Sequence, residues 1–158
     1  GTPDKFVTAL NRELCRYIVA GSFVTLFYSV LDVRKQTLVY ANAGHPPPIL
    51  LQAMTGRPGP DKVGTTGPPL GIDSGLSYDK QELPLTPGDL LLCYTDGITE
   101  VFDKEKKMLG SHGLETLLVK EFLTPDSSLL DRLHRSVLDR SNEISLNDDV
   151  LLLSIRMR

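Results

Sequence analysis

The segment Leu90-Leu91-Leu92-Cys93-Tyr94-Thr95-Asp96-Gly97 decides how this chain is read. Five residues suited to a fully buried strand run directly into an acid and a glycine. A lone carboxylate at the end of a buried strand is costly to desolvate, so the pattern asks for a compensating cation. An inverted copy lies near the C-terminus, where Asn147-Asp148-Asp149 precedes Val150-Leu151-Leu152-Leu153-Ser154-Ile155. If the two strands pair antiparallel, the end of the first lies beside the start of the second. The two acidic clusters then meet at one edge of a sheet, which is the geometry of a metal site.

Composition sets the outer bounds. A chain of 158 residues suits a single domain over residues 1–158 and is long enough to bury a substantial core. Hydrophobic content of 41% and charged content of 23% are ordinary for a globular protein. With 17 Lys+Arg against 20 Asp+Glu the net charge is -3, which points away from nucleic acid and from an anionic membrane as partners. Cys15 and Cys93 form neither a disulfide framework nor a zinc pattern, and Cys93 is expected as a buried thiol. No apolar run reaches the length of a membrane span. Gly1-Thr2-Pro3-Asp4 reads as a helix start and not as a secretory signal, so a cytoplasmic location is expected.

Outward from the decisive strand, the chain alternates clear signals with loops. Thr2, Pro3 and Asp4 suit the cap, first position and first turn of a helix. Phe6, Val7, Leu10, Leu14 and Tyr17 continue it at helical spacing towards Gly21. Phe23–Val33 and Thr37–Ala43 read as strands joined at Lys35-Gln36. Pro46-Pro47-Pro48 interrupts, and Ile49-Leu50-Leu51 resumes as a short strand. Thr55–Gly75, rich in Gly, Pro and Thr, predicts a long surface loop around Pro69-Leu70-Gly71-Ile72. Tyr78–Leu85 alternates as an exposed-face strand, and Thr86-Pro87-Gly88-Asp89 turns the chain into Leu90. Ile98–Met108 predicts a short strand element with a charged tip. Helices are expected over Ser111–Phe122 and Pro125–Ser141, the second with Leu129, Leu130, Leu133, Val137 and Leu138 on one face and Asp131, Arg132, Arg135 and Arg140 largely away from it. The resulting fold class is α+β with a mainly antiparallel sheet.

Taken in order, several of these segments resemble the SpoIIE-like branch of the bacterial metal-dependent protein phosphatases, the PPM family. They are Phe23-Val24-Thr25, Tyr40-Ala41-Asn42-Ala43-Gly44-His45-Pro46-Pro47, Pro69-Leu70-Gly71, Pro87-Gly88-Asp89, Tyr94-Thr95-Asp96-Gly97-Ile98-Thr99-Glu100 and Asn147-Asp148-Asp149-Val150. Each is weak alone, but the ordered set covers nearly the whole chain. The resemblance implies an antiparallel two-sheet β-sandwich flanked by helices, with a binuclear Mn²⁺ or Mg²⁺ centre. It implies hydrolysis of phosphoserine or phosphothreonine on a protein, for this branch an anti-anti-sigma factor in a partner-switching circuit. Asp96 and Asp148 match metal ligands, and no catalytic side chain is expected beyond a metal-activated water.

The family also carries an acidic Gly-Asp segment followed by Gly-His-Gly upstream of the first helix, and this chain has no such motif. Its aspartate is the one expected to bridge both metals. The chain is therefore expected to be the C-terminal portion of a catalytic domain, with little Mn²⁺ affinity or activity by itself. The alternative is a non-catalytic binding module of the same fold. Open sheet edges predict association into a homodimer.

Other residues have two readings. Asp96 before Gly97 also suits a simple turn that ends a strand. Gly97, Asp149, His45 and Glu100 are candidates for places beside the ligands. Asp149 equally suits a turn, Glu100 an exposed surface position and His45 a hydrogen-bonded loop. Asp89 is expected to be structural. His112 reads as a loop residue and His134 as part of a helix face, and Lys104–Lys107 as a solvated hairpin tip with a minority role in steering an acidic phosphoprotein.

Overall fold

The computed structural model describes residues 1–58, 63–122, 128–141 and 148–158. Among these residues the chain forms two antiparallel sheets and three α-helices. They fall into two compact units: the described parts of Gly1–Pro47 and Val63–Thr86, and those of Pro48–Lys62 and Pro87–Arg158.

The first unit opens with α1, Pro3–Leu14. Thr2 occupies the N-cap position but caps only through its backbone, whose carbonyl accepts the Phe6 N–H at 3.1 Å. The helix stops at Leu14, well short of Gly21, and Tyr17 is exposed, so the apolar spacing overran the helix. Strands β1, Leu26–Asp32, and β2, Thr37–Ala43, form a hairpin with Leu26 opposite Ala43 and Asp32 opposite Thr37. The Asp32 carboxylate holds the turn by accepting the N–H groups of Arg34 and Lys35 at 3.1 and 3.0 Å.

In the second unit, β3 is Ile49–Gln52 and β4 is Arg57–Pro58. Returning to the first unit, β5 is Gln81–Pro84 and pairs with β2, completing the order β1-β2-β5. The predicted strand from Tyr78 is shorter because Tyr78 turns into the core with Val7, Ala41, Ala43 and Leu70. The expected surface loop is likewise anchored from within, since Leu70 is fully buried and pairs with Val24. The buried Asn11 of α1, a polar residue on the inward face, ties this loop down. Its Oδ1 accepts the Gly71 N–H and its Nδ2 donates to the Asp73 carbonyl, both at 2.8 Å.

In the second unit, β6, Leu90–Tyr94, is a central strand between β3 and β7, Leu152–Arg156, in the order β4-β3-β6-β7. Leu90, Leu92 and Tyr94 point to one face and pack with Leu114, Leu118, Leu129, Leu133 and Val137. Those residues come from α2, Gly110–Phe122, and α3, Leu129–Arg140. Pro125, expected to begin the last helix, lies outside the described residues. His112 sits in the first turns of α2, not in a loop, and is exposed.

Arg132 does not project into solvent as its helical position suggested. Its Nε donates to Glu121 Oε2 at 3.0 Å, and its two terminal nitrogens donate to the Glu121 carbonyl at 2.8 Å and Ser128 Oγ at 3.0 Å. Ser136 Oγ adds a 3.0 Å bond to the other Glu121 oxygen. The hydroxyl of Ser136 and then the guanidinium of Arg132 hold the Glu121 carboxyl below its ordinary range. A mostly shielded, fully hydrogen-bonded pair of this kind fixes the pairing of two helices more than a surface ion pair does.

Arg132→Ala is expected to lower stability in urea by about 1–2 kcal/mol. Because the folded Glu121 pKa is depressed, its contribution is present at neutral pH and is lost as pH falls through the carboxylate range. Glu121→Gln should reduce that acid-side slope, measured by urea titrations between neutral pH and the carboxylate range.

Candidate metal edge

The two acidic segments meet through one threonine. The β6–β7 ladder ends at Tyr94 opposite Leu152, and Thr95 extends the pairing past it. The Thr95 N–H donates to the Leu151 carbonyl at 3.2 Å. Its hydroxyl accepts the Leu151 N–H at 2.9 Å and donates to the Asp149 carbonyl at 3.0 Å. A hydroxyl can accept and donate at once, so this one side chain clasps the strand entering β7 from both directions.

Gly97 allows the approach. A Cβ at this position would lie 2.7 Å from the Asp149 carbonyl oxygen and 3.3 Å from that of Asp148. Both obstructing atoms are backbone, so the glycine serves proximity and not a left-handed conformation. Asp96–Ile98 forms one 3₁₀ turn. The Asp96 carbonyl accepts the N–H groups of Thr99 and Glu100 at 2.8 and 3.0 Å and the Thr99 hydroxyl at 2.9 Å. Ile98, fully buried, pins the turn into the core of the second unit.

Asp96 is not the desolvated carboxylate that the sequence pattern predicts. Asp96 is exposed, and what is buried is the turn beneath it, Gly97 and Ile98. The strand needs no cation to tolerate this acid, because the chain has left the core by the time it reaches Asp96. Asp148 and Asp149 are exposed as well, and Asp148 Oδ1 accepts the Asp149 N–H at 2.7 Å. Asn147 lies outside the described residues.

The second unit thus brings together Asp96, Gly97, Asp148 and Asp149, with Glu100 exposed at the end of the same turn. His45 belongs to the first unit and is held within it. Its Nδ1 shares a 3.0 Å hydrogen bond with Thr25 Oγ1, and the fully buried Asn42 bonds both its N–H and its carbonyl, at 2.9 and 3.0 Å. Asp89 is structural: the buried carboxylate accepts the Ala53 N–H at 2.8 Å. Cys93 is half-buried, and burial pushes its thiol up to about 11, which keeps it protonated at neutral pH. Thr95 is the residue whose role the sequence motif concealed. A β-branched hydroxyl at a strand end, one residue before an acid, was its only signal.

The donors at this edge are carboxylate and carbonyl oxygens, which suit a hard divalent cation that retains waters. Among the described residues no group of three or more His, Cys, Asp and Glu side chains is gathered for a metal. Two exposed carboxylates such as Asp96 and Asp148 can supply only part of an ion's coordination shell.

Comparison with known proteins bears on the class. The family described as Stage II sporulation protein E (SpoIIE) matches residues 1–158, and the chain belongs to it. Phosphoserine phosphatase RsbU of Bacillus subtilis is 25% identical over 156 residues, spanning 99% of this chain and 45% of RsbU. The chain thus spans less than half of that relative. The crystal structure of the RsbU and RsbW domains of Rv1364c from Mycobacterium tuberculosis is 27% identical, with a TM-score of 0.75, covering 100% of this chain and 42% of that one. The phosphatase domain of the cell fate determinant SpoIIE from Bacillus subtilis, presoaked with Mn, shares the fold at 18% identity and a TM-score of 0.63, covering 99% of this chain and 66% of that one. The two antiparallel sheets and three helices agree with these neighbours. No helix among the described residues is long and apolar enough to cross a membrane.

Thr95→Val keeps the shape but removes both side-chain hydrogen bonds, and is expected to cost about 1–3 kcal/mol. Gly97→Ala forces two backbones apart and should cost a similar amount, about 1–3 kcal/mol. Guanidinium unfolding of each variant checks both values. Wild-type stability in either would refute the clasp.

Proposed function

We propose that this chain is the C-terminal portion of a metal-dependent serine/threonine phosphatase domain. It acts on phosphoserine or phosphothreonine of a cytoplasmic signalling protein, and the substrate class is anti-anti-sigma-like. The observation that supports this reading is that the turn bearing Asp96 is held against the Asp148–Asp149 backbone by the Thr95 clasp and the close approach at Gly97. The name of RsbU supports phosphoserine as the substrate group, and the Mn-presoaked SpoIIE structure supports the choice of metal.

In this reading Asp96 and Asp148 hold Mn²⁺ or Mg²⁺. Bound in a pair, such ions acidify a water and neutralise charge on a phosphoryl group. The chain's own residues supply placement. Thr95 fixes the spacing of the strands, Gly97 brings the Asp96 turn against the Asp148–Asp149 backbone, and Ile98 keeps that turn from moving. Asp149, whose carbonyl accepts the Thr95 hydroxyl, helps to position the edge beside the ligands. In this reading neither Glu100 nor His45 is a metal ligand. No serine or cysteine nucleophile is required, and a thiol held near 11 could not serve as one at neutral pH.

Asp96→Asn and Asp148→Asn in the intact protein should each reduce Mn²⁺-dependent phosphate release from a phosphoserine protein by on the order of a hundredfold, while folding is retained. Folded variants with undiminished release would reject the assignment. Full metal-dependent release in the wild type also separates this reading from a non-catalytic module of the same fold.

A further inference from the structure

The segment that follows the Asp96 turn is built as a rigid cationic hairpin. Its base is closed by the Gly110 N–H to the Thr99 carbonyl and the Leu109 N–H to the Val101 carbonyl, both 2.8 Å. Phe102 pairs with Met108 across the hairpin. At the tip, Asp103 Oδ1 accepts the N–H groups of Glu105 and Lys107, both at 2.9 Å. The backbone closes the same turn, with Lys106 N–H to the Asp103 carbonyl at 2.9 Å and Asp103 N–H to the Lys107 carbonyl at 3.0 Å. The other Asp103 oxygen pairs with Arg140 at 3.1 Å, tying the tip to the end of α3. Bonds from the Lys107 and Glu105 backbones and the nearby Arg140 charge hold the Asp103 carboxyl below its usual range.

Asp103 is thereby used internally, and the outward charge of the tip comes from Lys104, Lys106 and Lys107 against Glu105 alone. All four are exposed. Lys106 stands at φ 60, a backbone conformation where glycine or asparagine would be less strained. Phe102 and Met108, 47% and 50% exposed, flank the lysines with apolar surface. Three lysines on a turn are ordinarily just a solvated face. This tip differs in being preorganised, bordered by apolar side chains and opposite in sign to the chain's net charge of -3.

We propose that the Phe102–Met108 hairpin is a docking tip for an acidic segment of the phosphoprotein substrate. The inference rests on the phosphatase reading and adds to it a specificity surface. A cationic tip on an otherwise acidic molecule draws an acidic partner to one place and orients it. Because the hairpin grows directly from the turn bearing Asp96, a protein docked there is tethered next to the metal edge. The internal bonds of the tip mean that little order is lost on binding.

The test measures binding separately from hydrolysis. Fluorescence anisotropy of the intact protein compares two labelled peptides, a phosphoserine flanked by glutamates and the same phosphoserine flanked by glutamines. The wild type is expected to prefer the acidic peptide by about tenfold at low salt, with the preference shrinking as NaCl is added. K104E/K106E/K107E should abolish the preference, and K104Q/K107Q should retain part of it, with unchanged thermal unfolding in both. Equal affinity for the two peptides, or a preference that survives charge reversal, overturns the proposal. So does lysine-dependent binding to phosphatidylserine vesicles without any preference for the acidic peptide. Hydrolysis of p-nitrophenyl phosphate with Mn²⁺ is read in parallel. A lysine-dependent peptide preference without hydrolysis supports the docking tip and fails the phosphatase reading alone. Hydrolysis without that preference fails the docking tip alone.

Discussion

The Thr95 hydroxyl, bonded at once to the Asp149 carbonyl and the Leu151 N–H, is the interaction on which the proposed site depends. Carboxylates on separate strands repel each other when no cation is between them. Something other than their own chemistry must therefore hold them near. Here that work is done by neutral hydrogen bonds at the end of a ladder whose register is already set by Leu90–Tyr94 against Leu152–Arg156. The glycine that follows permits the backbone approach, and the buried isoleucine after it prevents the turn from lifting away. The fold thus sets the edge on which the proposed site stands, and its acids remain exposed at no desolvation cost.

The first unit uses polar anchors in a comparable way. Asn11 and Asn42 are fully buried; Asn11 satisfies its amide against the backbone of a distant loop, and Asn42 against the backbone of His45, three residues on. Asn42 also closes the turn that presents His45, which accounts for the Asn-Ala-Gly-His pattern without any metal. Gly44 completes that turn at φ 67, with its α-carbon packed so close to Pro69 that a Cβ would sit 2.6 Å from the proline ring. These anchors let a Gly- and Pro-rich loop carry Leu70 into the core.

Much of this was legible in the sequence wherever periodicity and position agreed. The apolar run of β6 and its antiparallel partner β7 followed from strand direction alone, and with them the approach of the Asp96 turn to the segment that enters β7. The structural role of Asp89 followed from its place before the strand. What escaped was decided by tertiary partners. Tyr17 kept the helical spacing after the helix had ended. Arg132 looked solvent-facing until Glu121 of the neighbouring helix supplied its partner. Asp96 read as buried because it follows a buried strand and precedes the buried Gly97 and Ile98, although a single 3₁₀ turn is enough to bring it out. Thr95 looked like motif filler, since its function lies in bonds to residues more than fifty positions away.

In the proposed site Asp96 and Asp148 share one divalent cation edge assembled by Thr95. Paramagnetic broadening by Mn²⁺ in ¹⁵N-labelled intact protein tests it directly. At substoichiometric Mn²⁺ the amide signals of Gly97, Ile98 and Asp149 should broaden first and together, and Thr95→Val should weaken that effect. Early broadening elsewhere, with those three amides unaffected, would contradict the claim.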